Sequence, residues 1–291
     1  MATKVRKQFS GVGALFLSAF LYSLFGVFTR YVLLNLGFYY QSVSRYFIDT
    51  LALFLLVILF HSYKKVEKSD WKWFVLISFF AVGTNIPFYL AINNLPLGTA
   101  MFLFYAASIV SSYLFGFFSL KEHISLIKVI ALSLAILGIV FIYQGNFNLS
   151  QPVYLLAAAV GGGFFGLYTS TNKKVNLKYS SLQVTFISYF IILLLTTPFM
   201  INAKETINLN FFSTSWFFNI LYAISMVISS FCTVYGFKHI EAQKGSLILL
   251  SEVIFVVING FIFFKEIPSI FVVIGGILIL IALLLPNIKT D

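Results

Sequence analysis

Only one cysteine, Cys232, and three histidines occur in the whole chain. A lone thiol excludes an intramolecular disulfide and a thiolate metal cluster. His61, His123 and His239 each fall near the end of an apolar run, with no His-x-x-x-His or carboxylate spacing suited to a metal, and no Gly-x-Ser-x-Gly elbow is present. Charge is scarcer still. Charged residues make up 10% of the chain, against roughly 25% in a soluble domain. What fills the space is apolar: 60% hydrophobic residues and a mean hydropathy of +0.98 describe an integral membrane protein.

Lys and Arg outnumber Asp and Glu by 19 to 9, but the basic clusters are short and separated by apolar runs of about 20 residues. The excess therefore reads as a membrane-topology signal, and no nucleic-acid partner is expected. The N-terminal Lys4, Arg6 and Lys7 precede a long apolar run without a small-x-small cleavage site, so this run is read as an uncleaved first helix.

Cutting at charged and Pro/Gly/Asn clusters leaves ten stretches long enough to cross about 30 Å of hydrocarbon as helices. Their limits are 11–34, 39–60, 71–92, 98–120, 124–143, 152–172, 180–202, 213–238, 244–264 and 268–287. Placing the N-terminus in the cytoplasm puts the clusters at Lys4–Lys7, Lys64–Lys72, Lys121, Lys128, Lys173–Lys178, Lys238, Lys244 and Lys289 inside. Only Arg30, Lys204 and Lys265 fall outside, and Arg45 lies within a span. Loops rich in Lys and Arg stay cytoplasmic, which favours an N-in, C-in chain. Trp71, Trp73 and Trp216 open spans at the headgroup level, where they act as anchors.

The chain also repeats itself. Gly116, Phe117, Lys121, Glu122, Ser125, Val129, Ile130 and Leu134 recur 144 residues later as Gly260, Phe261, Lys265, Glu266, Ser269, Val273, Ile274 and Leu278. Five crossings separate the copies, so the second is inverted, the arrangement of many secondary transporters. The expected fold is an all-α membrane protein of ten transmembrane helices in two inverted five-helix repeats, 1–147 and 148–291, joined near Gln144 to Pro152.

These features resemble the drug/metabolite transporter superfamily, EamA type. The resemblance rests on the two five-helix repeats, Leu95-Pro96-Leu97-Gly98 before the fourth span, the Lys-Glu pairs closing spans four and nine, and Ser251-Glu252 inside span nine. It implies a carrier, more often an exporter, of small metabolites such as amino acids across the plasma (cytoplasmic) membrane, with a central cavity walled by spans 1, 3, 4, 6, 8 and 9. It implies no cofactor. Where many relatives carry prolines in spans nine and four this chain has Val253 and Ile109, so no helix break is expected there.

Glu252 is the sharpest candidate. It lies about 12 Å into its span by helix rise, where a carboxylate is costly unless it faces water, a partner or a proton. It is expected to contact an amine-bearing substrate or to take up a coupling proton. Its repeat-related position is Ser108. Asn85, Tyr105, Tyr22, Tyr168 and Ser229 complete the expected substrate-binding set, and Gly161, Gly162 and Gly163, with Gly26 and Gly166, allow close helix approach or a gate. Arg45 and Asp49, at i and i+4, are expected to form an ion pair, or an outer gate in which Arg45 holds a carboxylate. The main rival reading is a membrane-embedded enzyme acting on a lipid-linked group.

Overall fold

The structure is a computed structural model, and it describes residues 2–95, 97–142, 151–176, 178–205, 210–265, 267 and 269–285. The expected junction near Gln144, and Pro96, Glu266 and Lys289, lie outside the described residues. All regular structure among the described residues is helical. Hydrocarbon offers no partner for a backbone N–H or C=O, and a helix satisfies both internally.

The first span consists of α1 (Ala2–Ser23) and α2 (Phe25–Val32). Spans two to five are α3 (Phe38–Leu59), α4 (Trp71–Asn94), α5 (Leu97–Phe118) and α6 (Leu126–Ile142). The sixth is α7 (Pro152–Thr171), followed by a single turn, α8 (Lys173–Asn176). The rest are α9 (Ser181–Ala203), α10 (Thr214–His239), α11 (Ala242–Leu249) with α12 (Ser251–Phe264), and α13 (Ile270–Leu284). Six helical stretches have the length and apolarity of membrane spans, three shorter apolar helices join them, and α4 makes the tenth crossing.

Local signals set several ends. Ser180, Ser213 and Ser269 cap α9, α10 and α13 by accepting from the backbone N–H three residues on. Lys121 and Lys265, related by the internal repeat, both adopt left-handed backbone, with φ of 56° and 59°. Lys265 is the left-handed residue that ends α12, whereas Lys121 lies in the turn after α5 has already ended at Phe118.

Loops gather alternately at two ends of the bundle, as an up-and-down chain requires. At the lysine-rich end Gln183 Oε1 accepts from the Lys64 N–H at 3.0 Å, Lys173 reaches Glu122 at 2.7 Å, and the Ala242 N–H donates to Glu122 at 2.7 Å. At the other end the Tyr39 and Tyr40 N–H groups donate to Glu205 at 3.2 and 2.8 Å, and Asn35 donates to Ser215 at 3.1 Å.

The packing has the two-fold logic of the repeat. α4 against α7 is matched by α1 against α10, α5 against α7 by α1 against α11 and α12, and α4 against α9 by α3 against α10. The pairs α3 with α9 and α6 with α13 map onto themselves. Small residues allow the closest approaches: a Cβ at Gly162 or Gly166 would run into the Phe104 or Ser108 carbonyl of α5. Gly26 and Gly163 have open space instead. The bundle exterior carries exposed Leu51, Phe54, Leu55 and Ile58 on α3 and Ile270, Val273, Ile274 and Ile277 on α13, a surface suited to lipid.

Span nine departs from the expectation of an unbroken helix. It breaks at Leu250 without a proline, whereas α5 runs unbroken through Ile109. The Leu250 N–H is shared between the Ser246 and Leu247 carbonyls, and Ser251 Oγ donates to the Ile248 carbonyl at 2.7 Å. A hydroxyl that competes for helix carbonyls tightens the turn. A like bond accompanies the break in span one at Leu24, where Ser23 Oγ donates to the Phe20 carbonyl. Asn259 then bonds Ser23 at 2.8 Å and ties the two broken spans together.

Candidate functional site

Between the repeats lies a cavity of about 160 Å³. Its wall is mostly aromatic and apolar, with Phe25, Phe88, Phe104, Phe165, Ile192 and Met226, interrupted by a few polar groups. Two are ionisable in the full sense: Glu252 from α12 and Arg45 from α3. This composition, apolar with sparse fixed polar groups, is that of a small-molecule site.

Glu252 stands in the first turn of α12, just past the break at Leu250, where a helix N-terminus favours negative charge. Tyr105 of α5 is its hydrogen-bonding neighbour. Arg45 is buried, and its guanidinium lies 4.2 Å from the Tyr222 ring centroid and 4.6 Å from that of Tyr46, a cation–π setting. Asn85 donates to the Tyr46 hydroxyl at 2.9 Å, which fixes both side chains on the wall. Tyr22, Ser230 and Tyr189 form a hydroxyl chain, with spacings of 3.3 and 2.5 Å.

The structure thus brings Glu252, Asn85, Tyr105, Tyr22, Tyr168 and Arg45 to one cavity. Ser108 faces a small adjoining void shared with Tyr105, Thr169, Ser246 and Glu252. Ser229 is placed elsewhere: it bonds Ser18 in the α1–α10 interface, at 3.0 Å between hydroxyls and 3.1 Å to the Ser18 carbonyl. It serves as helix glue there.

The Arg45–Asp49 ion pair is not formed. Asp49 is fully buried, neither carboxylate oxygen has a hydrogen-bond partner, and the two residues are absent from the ion pairs of the described residues, which are Lys128–Glu241, Lys173–Glu122, Lys178–Glu67 and Lys178–Asp70. The i, i+4 spacing permits a bridge, but the two rings hold the guanidinium on the cavity side.

Spans two and seven also line the cavity, beyond the six expected walls: α3 adds Gln41, Ser42 and Tyr46 to Arg45, and α9 adds Tyr189. The signal for α3 was available in the stripe Phe38, Gln41, Ser42, Arg45, Tyr46 and Asp49, which recurs at helical spacing. Tyr189 has no comparable signal in its apolar span.

The cavity extends from the middle of the bundle toward the end where α3 begins, at Phe38. Toward the lysine-rich end polar contacts close the packing. Ser18 meets Thr233 at 2.6 Å, Ser170 meets Ser112 at 3.1 Å, and beyond them Glu122 of the first repeat joins Lys173 and the Ala242 and Gln243 amides of the second.

Outside the membrane-spanning segments, the Asp70 carboxyl is held below the usual carboxylate range, first by the bond from the Tyr179 hydroxyl at 2.8 Å and then by Lys178 at 3.0 Å. This cluster clamps the loop before α4 to the segment before α9.

Comparison with known proteins agrees with this architecture. One solved crystal structure superposes with a TM-score of 0.80 over 96% of this chain and 96% of its own, at 16% identity, a likeness of fold alone. No curated protein matches the sequence. The EamA-like transporter family matches over residues 9–144 and 152–288, nearly the whole chain in two copies. With ten crossings in paired repeats around a central cavity, this multi-pass membrane protein belongs to the EamA-like transporter family.

Proposed function

We propose that the chain is a secondary transporter that moves a small polar metabolite bearing an amino group and a carboxylate, an amino acid or a related compound, across the cytoplasmic membrane by alternating access. One observation carries this reading: a single mid-bundle cavity has a carboxylate, Glu252, and a guanidinium, Arg45, among otherwise uncharged walls. Each charge is expensive in hydrocarbon, and neither is ion-paired among the described residues. A zwitterion supplies both partners at once, its ammonium to Glu252 and its carboxylate to Arg45. The aromatic and Met226 surfaces between them suit an apolar side chain.

Access alternates by rocking of one repeat against the other about the site. The contacts of Glu122 with Lys173 and Ala242 cross between repeats at the lysine-rich end, and they hold that side shut while the cavity extends the other way. Breaks at Leu24 and Leu250, in two of the spans that line the cavity, give the walls a place to bend.

The test is exchange of labelled norleucine in proteoliposomes. Glu252→Gln and Arg45→Met each lower the rate by about tenfold or more, the equivalent of roughly 1.4 kcal/mol of lost substrate contact. Unchanged exchange in both variants, with norleucine carried by the unmodified protein, removes the two charges from the site.

A further inference from the structure

Among the described residues, Asp49 is the carboxylate near the cavity that the reading above leaves without a task. It sits one helical turn past Arg45 on α3, is 0% exposed, and both its oxygens lack a partner. A buried carboxylate left this way is too costly to stay charged, so it takes a partner or a proton. The groups around it are few: Arg45 and Tyr46 on its own helix, Tyr189 from α9 and Tyr222 from α10, with Tyr22, Tyr168 and Glu252 further across the cavity. Arg45 alone among these is a cation. Its guanidinium has turned away onto the Tyr46 and Tyr222 rings, the position from which it reaches the cavity.

We propose that Asp49 is a proton-binding site of the transport cycle, loaded and unloaded according to whether Arg45 pairs with it or with the carboxylate of the substrate. The inference rests on the reading that Arg45 receives a substrate carboxylate. With the cavity empty, Arg45 swings back one turn and neutralises ionised Asp49. A substrate carboxylate holds the guanidinium on the cavity side, and Asp49 takes one proton from cavity water, forming an O–H bond as a hydronium ion gives one up. Release reverses each step. The group formed by Arg45, Asp49 and the substrate carboxylate then never holds an uncompensated charge.

A hydroxyl chain leads from the cavity wall toward Asp49 and stops short of bonding it. Tyr189 stands in the electrostatic neighbourhood of Asp49, and its hydroxyl continues through Ser230 to Tyr22 on the cavity wall. Each hydroxyl on this path can accept one proton and donate one. A proton and a carboxylate bound together cross together, in whichever direction their summed gradients point.

The probe is hexanoate, which carries the carboxylate without the amine, binding to the purified full chain in nanodiscs. In weakly buffered solution with an indicator dye, binding to the unmodified protein takes up one proton per molecule, and affinity falls about tenfold per pH unit once Asp49 must be protonated from the ionised state. Asp49→Asn binds hexanoate with no uptake and no such pH dependence. Arg45-dependent binding without proton uptake, the same uptake in Asp49→Asn, or an affinity that follows sodium in place of pH, each overturns the role of Asp49 and leaves the proposed substrate class standing. Hexanoate and norleucine binding that ignores Arg45→Met overturns the substrate reading, and this inference with it. Infrared spectroscopy gives a readout that needs no probe. Arg45→Met strands Asp49, so it displays the carbonyl stretch of a protonated carboxylic acid that the Arg45→Met, Asp49→Asn double variant lacks; identical spectra sink the proposal.

Discussion

The Glu122 carboxylate accepts a hydrogen bond from the Ala242 backbone at 2.7 Å, joining the end of span four in one repeat to the start of span nine in the other. Gln243 N–H and Lys173 Nζ bond the same carboxylate at 3.2 and 2.7 Å. Charge-assisted bonds of this kind contribute about 1.5–3 kcal/mol each when a charged group is involved. Glu122→Gln keeps the shape and loses the charge, so the lysine-rich side opens more often. In a Cys232→Ser background, which removes the sole native thiol, a cysteine introduced at Ser18 reacts faster with a water-soluble maleimide when Glu122→Gln is added. An unchanged rate means that Glu122 caps α11 without holding the side closed.

Gly162 and Gly166 are where α7 lies against α5, and a Cβ on either meets backbone carbonyl, which cannot move aside as a side chain can. Gly163, between them in sequence, faces open space. Gly162→Ala and Gly166→Ala therefore each cost about 1–3 kcal/mol through overpacking, whereas Gly163→Ala is neutral or gains a few tenths through lower chain entropy. Thermal unfolding in detergent, followed by tryptophan fluorescence, separates the three. Equal melting temperatures for all three variants contradict the close packing of α5 on α7.

The readability of these positions from sequence follows from their chemistry. Glu252 and Arg45 stand out because a charge in an apolar run needs a reason, and the cavity supplies one. Hydroxyls carry no such signal. Ser229 and Ser230 are adjacent in the chain, yet one is glue to Ser18 and the other lines the cavity, since a step of one residue turns about 100° around a helix. Asp49 defied its spacing because the rings of Tyr46 and Tyr222 compete for Arg45, and Tyr222 comes from a helix remote in sequence. The break at Leu250 was hidden because no proline marks it.

Lys121 and Lys265 hold left-handed backbone, a conformation that costs a side-chain-bearing residue roughly 1–2 kcal/mol and glycine almost nothing. Lys265→Gly is therefore neutral or stabilising by up to about 1 kcal/mol, and Lys265→Val, with its β-branch, is destabilising. The same contrast holds at Lys121. Melting temperatures of the four variants check it: if valine equals glycine at both positions, the two span ends do not share this backbone.

At the lysine-rich end, pH provides a handle on the clamp built by Asp70, Tyr179 and Lys178. Because the Asp70 carboxyl is depressed by the Tyr179 hydroxyl and then by Lys178, its contribution is complete above the ordinary carboxylate range. It is lost as pH falls through the lower, folded-state value, where the carboxylate gains a proton and the loop before α4 is released. Asp70→Asn mimics the protonated form, so it melts below the unmodified protein at neutral pH and the gap closes on acidification. Tyr179→Phe removes the first cause of the depression and moves the acid-induced loss to higher pH. High salt screens the half-exposed Lys178 more than the buried Tyr179 bond, so the gap persists in salt if the hydroxyl dominates. A gap that stays constant from neutral to acid pH shows that Asp70 does not act through its charge.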